Sequence, residues 1–152
     1  MNRNFRDIPA AARWLGVAGL IPQAAVVATL LTGNVAARFT ALATGFAYAA
    51  LILSFLGGTW WGLAAQAGER AHKWIWTVSV APSLLALASA VPWTTGDPWP
   101  GPSLLLLGIS LIGALLVDYR LYRLGIAPGW WLWLRAPLSG GLGLLTIAAA
   151  LL

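Results

Sequence analysis

The sequence predicts an all-α integral membrane protein in which residues 1–152 form a single bundle of five transmembrane helices. Hydrophobic residues make up 60% of the chain and charged residues only 9%, which is more apolar surface than a soluble domain of this length can bury. The few charged residues also divide the chain into uncharged stretches, and a helix of about 20 apolar residues crosses the hydrocarbon core of a bilayer. This composition excludes a disordered tail and a nucleic-acid-binding domain.

The first three predicted helices cover residues 12–32, 39–65 and 73–93, and each is an apolar run that ends at charged or turn-forming residues. The apolar run of the first helix, about 18 residues, exceeds the roughly 7–15 residues typical of a cleaved signal peptide, so we expect this helix to be retained. Pro22 and Pro82 fall near the middle of the first and third helices, where each leaves a backbone carbonyl one turn earlier without its helical partner.

The last two predicted helices cover residues 102–123 and 130–151. A segment rich in proline and glycine precedes the fourth helix, and residues 125–129 separate it from the fifth. The uncharged run after Arg135 is short, but the aromatic residues from Trp130 extend the fifth helix to roughly 33 Å. Because the connections are short, successive helices are predicted to be antiparallel neighbours.

The distribution of basic residues predicts the orientation of the bundle. Cytoplasmic loops of membrane proteins carry an excess of lysine and arginine. With a cytoplasmic N-terminus, only Arg38 lies on the outer side. The basic residues then on the inner side are Arg3, Arg6, Arg13, Arg70, Lys73, Arg120, Arg123 and Arg135. The N-terminus is therefore predicted to be cytoplasmic and the C-terminus to lie outside.

Tryptophan is unusually abundant, with 10 residues in the chain. The predicted topology places most of them on the inner side, namely Trp14, Trp60, Trp61, Trp74, Trp76, Trp130, Trp131 and Trp133. Such residues form either an aromatic belt at the head-group level or the wall of a cavity. Because neighbouring residues of a helix differ by about 100° in direction, the tryptophans of 130–133 cannot all face lipid, and at least one is predicted to face the interior.

Asp118 ends an otherwise apolar run, where a carboxylate is costly unless it has a partner. Arg135 is the predicted partner, because the two residues lie at similar depths, about 7 Å and 9 Å inside the ends of antiparallel neighbours. The pair is interpreted either as a structural ion pair that joins the hairpin or as a charged site for an anionic head group or a proton. A side chain that extends to the interface is the third reading.

Small residues mark two predicted helices. On the second, Ser54 recurs at helical spacing with Gly57 or Gly58 and with Trp61, which indicates either close helix packing or a place where a ligand reaches the backbone. On the fifth, Ala136 with Gly140 and Ser139 with Gly143 form small-residue faces. These faces favour packing within the chain or between copies of it.

The residue inventory disfavours enzymatic chemistry. The chain has no cysteine and one histidine, so neither a disulfide framework nor a multi-histidine metal site is predicted. Paired carboxylates, a phosphate-binding loop and a Ser-His-Asp set are all missing from the sequence. No catalytic residue, metal or cofactor is therefore predicted, and an enzyme is the least favoured class.

The stretch 48–62, YAALILSFLGGTWWG, resembles the signature of the domain of unknown function 3429 family. The rest of the pattern follows in order and covers nearly the whole chain: Leu20-Ile21-Pro22, Pro82-Ser83-Leu84, Asp118, and the segment from Pro128 through Trp131 to Arg135. The pair Trp60-Trp61 departs from the single tryptophan that members often carry, which leaves the role of Trp60 open. The resemblance implies a small multi-pass protein of bacterial inner membranes or mitochondria, and the bacterial inner membrane is the predicted location. It implies no established activity.

The leading functional hypothesis is binding or transport of a small amphipathic ligand in a tryptophan-lined pocket that faces inward. Its apolar part would contact Trp61, Trp76 and Trp131, and Arg135 would contact a polar or anionic head group. The predicted ligand-binding residues are Ser54, Gly57, Gly58, Trp61, Trp76, Asp118, Trp131 and Arg135. The alternative is a non-catalytic assembly or scaffolding protein that binds a protein partner or a second copy. Membrane lipids are expected neighbours under either hypothesis.

Overall fold

The computed structural model describes residues 7–97 and 99–152, and the regular elements in these ranges are all helical. Arg3 and Arg6, which contribute to the predicted charge asymmetry, lie outside the described residues. Five helical spans within the described ranges are long and apolar enough to cross a membrane, namely Ala10–Leu31, Val35–Arg70, Lys73–Thr95, Gly101–Arg123 and Trp131–Leu151. This confirms the prediction of an all-helical chain with five membrane-spanning helices, whereas its orientation stays a prediction.

Two of the five spans are each divided into two helices. The first span consists of α1 (Ala10–Ala18) and α2 (Ile21–Leu31), and the third of α4 (Lys73–Ser89) and α5 (Val91–Thr95). The second span is α3, followed by one short 3-10 turn, and the fourth and fifth spans are α6 and α7. These helices cover Val35–Ala67 (α3), Gly101–Arg123 (α6) and Trp131–Leu151 (α7).

Helix α3 begins four residues before the predicted start at 39 because Asn34 caps its N-terminus. The Asn34 side-chain oxygen accepts hydrogen bonds from the backbone N–H groups of Ala36 and Ala37, at 3.0 and 3.2 Å. Such a cap satisfies donors that the first turn of a helix cannot pair internally. Arg38, which the sequence left in the outer loop, consequently lies in the first turns of α3.

The first span does not continue as one helix through Pro22. It breaks at Gly19 and Leu20, and Pro22 lies in the first turn of α2, where the missing N–H of proline costs nothing. The Tyr48 hydroxyl of α3 donates a hydrogen bond to the Gly19 carbonyl oxygen at this break. Pro82, in contrast, lies inside α4. The break therefore divides the first span into two separate helices.

Helix α3 lies at the centre of the bundle and contacts α2, α4, α6 and α7. The α6–α7 hairpin packs closely because Gly108 and Gly143 face each other, and a Cβ atom built on Gly108 would lie 2.9 Å from the Gly143 carbonyl oxygen. This is the small-residue packing expected between membrane helices. Gly143 therefore serves contact within the chain. Helix α1 packs chiefly against α7, whereas α2 packs against both α3 and α7.

Candidate functional site

A partly enclosed cleft of about 480 Å³ lies between α1, α3 and α7. This volume is within the range of small-molecule sites. Leu15 and Phe55 line the cleft and are 73% and 65% exposed, so the cleft opens sideways toward the surrounding lipid. The lining residues are Ala12, Leu15, Gly16, Gly19, Leu20, Tyr48, Ile52, Phe55, Leu56, Thr59, Leu111, Trp130, Trp131, Leu134, Arg135, Leu138, Ser139 and Leu142.

The walls of the cleft are mostly apolar, with one charged side chain among the lining residues, Arg135. Its charge is balanced by Asp118, which is fully buried behind it on α6. The Arg135 Nε atom donates a hydrogen bond to Asp118 Oδ2 at 3.1 Å. The ion pair predicted from the sequence is therefore present in the structure.

Two indole groups also donate hydrogen bonds to the Asp118 carboxylate. Trp60 Nε1 donates to Asp118 Oδ1 at 2.9 Å, and Trp131 Nε1 donates to the same oxygen at 2.8 Å. The carboxylate thus accepts hydrogen bonds from α3 and α7 while it belongs to α6. Because a buried carboxylate is stable only when it is paired and hydrogen-bonded, these three donors explain how Asp118 is accommodated in the bundle. We call Asp118, Trp60, Trp131, Arg135 and Ser139 the Asp118 cluster.

Ser139 is the last member of the cluster and lies one helical turn after Arg135. Arg135 Nη2 donates to Ser139 Oγ at 2.7 Å. A guanidinium group carries five N–H donors, and the described hydrogen bonds of Arg135 use two of them. Arg135, Trp131 and Ser139 line the cleft, so the donor side of the cluster faces it while Asp118 lies behind.

The cluster lies close to one end of the bundle. Asp118 precedes the end of α6 by five residues and Arg135 follows the start of α7 by four, which corresponds to about 6–8 Å of depth. Arg120 lies over the Trp74 ring at 4.9 Å at the same end. Within the described residues, no group of three or more histidine, cysteine or acidic side chains could hold a metal ion. The described contacts of the cluster are hydrogen bonds and one ion pair.

Five of the predicted site residues lie away from the cleft. The hydroxyl groups of Ser54 and of Ser83 on α4 are hydrogen-bonded to each other, with their oxygens 2.8 Å apart. A Cβ atom on Gly57 would lie 2.2 Å from the Ser79 carbonyl oxygen of α4, whereas one on Gly58 would meet no atom within 4 Å. These positions contribute to helix packing or face outward.

Trp61 and Trp76, which were predicted to contact the apolar part of a ligand, are not among the residues that line the cleft. The two rings pack edge to face, with centroids 4.8 Å apart, and Trp61 is 49% exposed. The reason is helical geometry, since Trp61 is turned by about 100° from its buried neighbour Trp60. Of the eight residues, only Trp131 and Arg135 line the cleft, and Asp118 contacts both of them.

Trp60 is the cluster residue whose role the sequence left open. It is 2% exposed. The periodicity of α3 contains a signal for it, because Leu53, Leu56, Trp60 and Ala64 recur at three- and four-residue spacing, and all four are buried. Ser139 was recognised only as a small residue, and its hydrogen bond with Arg135 depends on the same one-turn spacing.

Comparison with known proteins gives a family and no activity. A family model described as a protein of unknown function (DUF3429) matches residues 8–151. Transmembrane protein 69 of Xenopus tropicalis is 34% identical over 138 residues, which is 89% of this chain and 51% of that protein. The chain thus spans about half the length of this relative. No solved structure matches the chain.

Proposed function

The chain belongs to the DUF3429 family of proteins of unknown function, so a function must be inferred from the structure of the chain itself. We propose that it binds a small amphipathic molecule of the membrane in the cleft between α1, α3 and α7. The observation that carries the proposal is Arg135, a nearly buried cation that lines an otherwise mostly apolar cleft open to lipid. The five spans of the described residues are those of a multi-pass membrane protein.

The polar group is what would select such a ligand. Lipid tails are as apolar as leucine side chains, so moving a hydrocarbon chain from the bilayer into the cleft gains little free energy. A hydrogen bond in a low-dielectric site gains more. We infer that Leu134 and Leu138 accommodate the apolar part of the ligand, while Arg135 fixes its head group.

We further propose that the cleft opens in the cytoplasmic leaflet of a bacterial inner membrane. Support comes from the basic residues at the Asp118 end, including Arg120 and Arg123 of α6, because such residues favour the cytoplasmic side. Tryptophans at this end, such as Trp74 below Arg120, are typical of a membrane–water interface. A transport role would require a second opening of the cleft in addition to the binding site. This opening would lie beyond Tyr48 and Leu142, at the far end of the cleft.

Filling the mouth of the cleft is expected to remove the ligand. Ala12 of α1 lines the cleft and is half-buried, whereas its neighbour Ala11 is exposed and is not a lining residue. The amount of amphiphile that co-purifies with the Ala12→Trp variant should be about tenfold lower than with the wild type, because the indole ring occupies the space of the ligand. The measurement is native mass spectrometry of the protein released from detergent.

The matched control is Ala11→Trp, which adds the same ring to the same helix on its lipid-facing side. We expect this variant to retain the wild-type level of bound molecule. If Ala12→Trp retains that level as well, or if the wild-type protein carries no bound amphiphile, the proposed function is wrong.

A second candidate function is assembly with a protein partner or a second copy, and an exposed small-residue face on α7 favours it. Ala136 is exposed, and a Cβ atom on Gly140, one turn further, would meet no atom within 4 Å. Faces of this type let two membrane helices approach closely. In this role the Asp118 cluster would only hold α3, α6 and α7 together.

The assembly candidate predicts a change in oligomeric mass. Gly140→Leu should shift the protein toward the monomer in detergent, as measured by light scattering after gel filtration, because the larger side chain prevents close helix approach. Gly113→Leu on α6 is the control, since Gly113 is equally open. Equal masses for wild type and both variants would exclude an interface at this α7 face.

A further inference from the structure

We propose that the ligand of the cleft is a single-chain amphiphile with one acidic head group, a carboxylate or a phosphate, and that Arg135 binds this head group through Nη1 and Nη2. This inference rests on the proposed function and specifies its ligand. Carboxylate and phosphate share the chemistry that matters here, which is a negative charge on oxygens that accept two parallel N–H bonds.

The donor inventory of Arg135 is the first argument. Nε is bound to Asp118 and one Nη2 hydrogen to Ser139, so the described contacts leave three N–H donors, both on Nη1 and one on Nη2. These donors belong to the end of the guanidinium fork, and an acidic head group accepts such a fork with two oxygens. A hydroxyl head group offers one oxygen and cannot form the paired arrangement.

The charge of the cleft is the second argument. The lining residues include Arg135 and no aspartate or glutamate. Asp118, the carboxylate that pairs with Arg135, is fully buried and already accepts hydrogen bonds from Trp60, Trp131 and Arg135. A cationic head group would therefore meet a guanidinium without a free carboxylate, whereas an anionic one would meet unused donors. In a low-dielectric site this difference is large.

The shape of the cleft indicates one alkyl chain. Its lining on α7 extends from Trp131 to Leu142, which is about 17 Å along the helix axis. A cleft of about 480 Å³ that extends over this length is elongated, and this shape matches one extended alkyl chain. Because Leu15 and Phe55 leave the side open, the chain can enter directly from the bilayer.

Equilibrium binding of three probes with the same chain tests the inference: hexadecanoate, hexadecyl phosphate and hexadecanol. With detergent-purified wild-type protein at pH 8, we expect the better acidic probe to bind roughly tenfold or more tightly than the alcohol, as a charge-assisted hydrogen-bond pair would give. The stronger of the two acids identifies the source of the head group. Arg135→Lys keeps the positive charge but loses the fork, and should reduce the preference for acid several-fold.

Arg120→Lys is the control for that variant, because Arg120 lies at the same end of the bundle and does not line the cleft. Because Arg135 also forms the ion pair with Asp118, its substitution can alter the bundle as well as the cleft. A second pair of variants therefore leaves Arg135 unchanged. Leu138 lines the cleft one turn from Arg135. Leu138→Glu should abolish the preference for acid, because its carboxylate repels the head group or occupies the donors, whereas Leu138→Gln should retain it.

The outcomes separate the two proposals. Equal affinity for all three probes would overturn the acidic head group and leave ligand binding in the cleft intact. Binding of none of them, together with an empty wild-type protein in mass spectrometry, would overturn both. A preference for acid that survives both Arg135→Lys and Leu138→Glu would place the head group elsewhere and overturn the inference.

Discussion

Replacing Asp118 with asparagine is expected to lower the free energy of unfolding by about 3 to 5 kcal/mol, the cost of breaking a buried ion pair from one side. Asparagine retains an oxygen that Trp60 and Trp131 can bind, but it leaves the guanidinium of Arg135 without a counter-charge at 9% exposure. The measurement is chemical or thermal unfolding in detergent, followed by circular dichroism.

Two comparisons give this prediction its meaning. Asp97→Asn changes an exposed carboxylate that contacts the Thr95 hydroxyl, and it should alter stability by no more than about 0.5 kcal/mol. The double variant Asp118→Asn with Arg135→Gln removes both charges, and it should be less destabilised than the sum of the two single variants. If Asp118→Asn is as stable as the wild type, the Asp118 cluster does not hold the bundle together.

The five spans could be predicted from the sequence because hydrocarbon imposes a strong and local requirement. A span needs a run of apolar residues of a certain length, and the positions of the charged residues show where such runs end. The Asp118–Arg135 pair could be predicted for a related reason, since two neighbouring antiparallel helices bring residues of equal depth together and an isolated charge there is costly.

The location of the cleft could not be predicted, because it depends on contacts between distant parts of the chain. The sequence shows Pro22, but not that the span breaks at Gly19 and that α1 then packs on α7. The sequence also cannot distinguish Trp60 from Trp61, because the two are adjacent on α3 and are the same residue type. Which of them faces Asp118 depends on how the whole helix is rotated against its neighbours. The sequence interpretation therefore assigned Trp61 to a site in which the structure places Trp60.

Gly57→Ala is expected to lower the free energy of unfolding by about 1 to 3 kcal/mol, the usual cost of adding a methyl group to a well-packed contact. The added Cβ atom would lie 2.2 Å from the Ser79 carbonyl oxygen and 3.3 Å from Pro82 Cγ. A backbone carbonyl cannot rotate away as a flexible side chain can, and the proline ring is rigid. Helices α3 and α4 must therefore separate to accommodate the methyl group, and unfolding in detergent would measure the loss.

Gly58→Ala is the matched control, because the same methyl group is added to the next residue of the same helix, where it meets no atom within 4 Å. The gain in helix propensity from glycine to alanine is common to both variants, so the difference between them isolates the contact with α4. We expect Gly58→Ala to equal or exceed the wild type in stability. Equal stability of the two variants would mean that α3 and α4 do not pack through Gly57. A folded Gly57→Ala protein that specifically loses its ligand would instead restore Gly57 to the binding site.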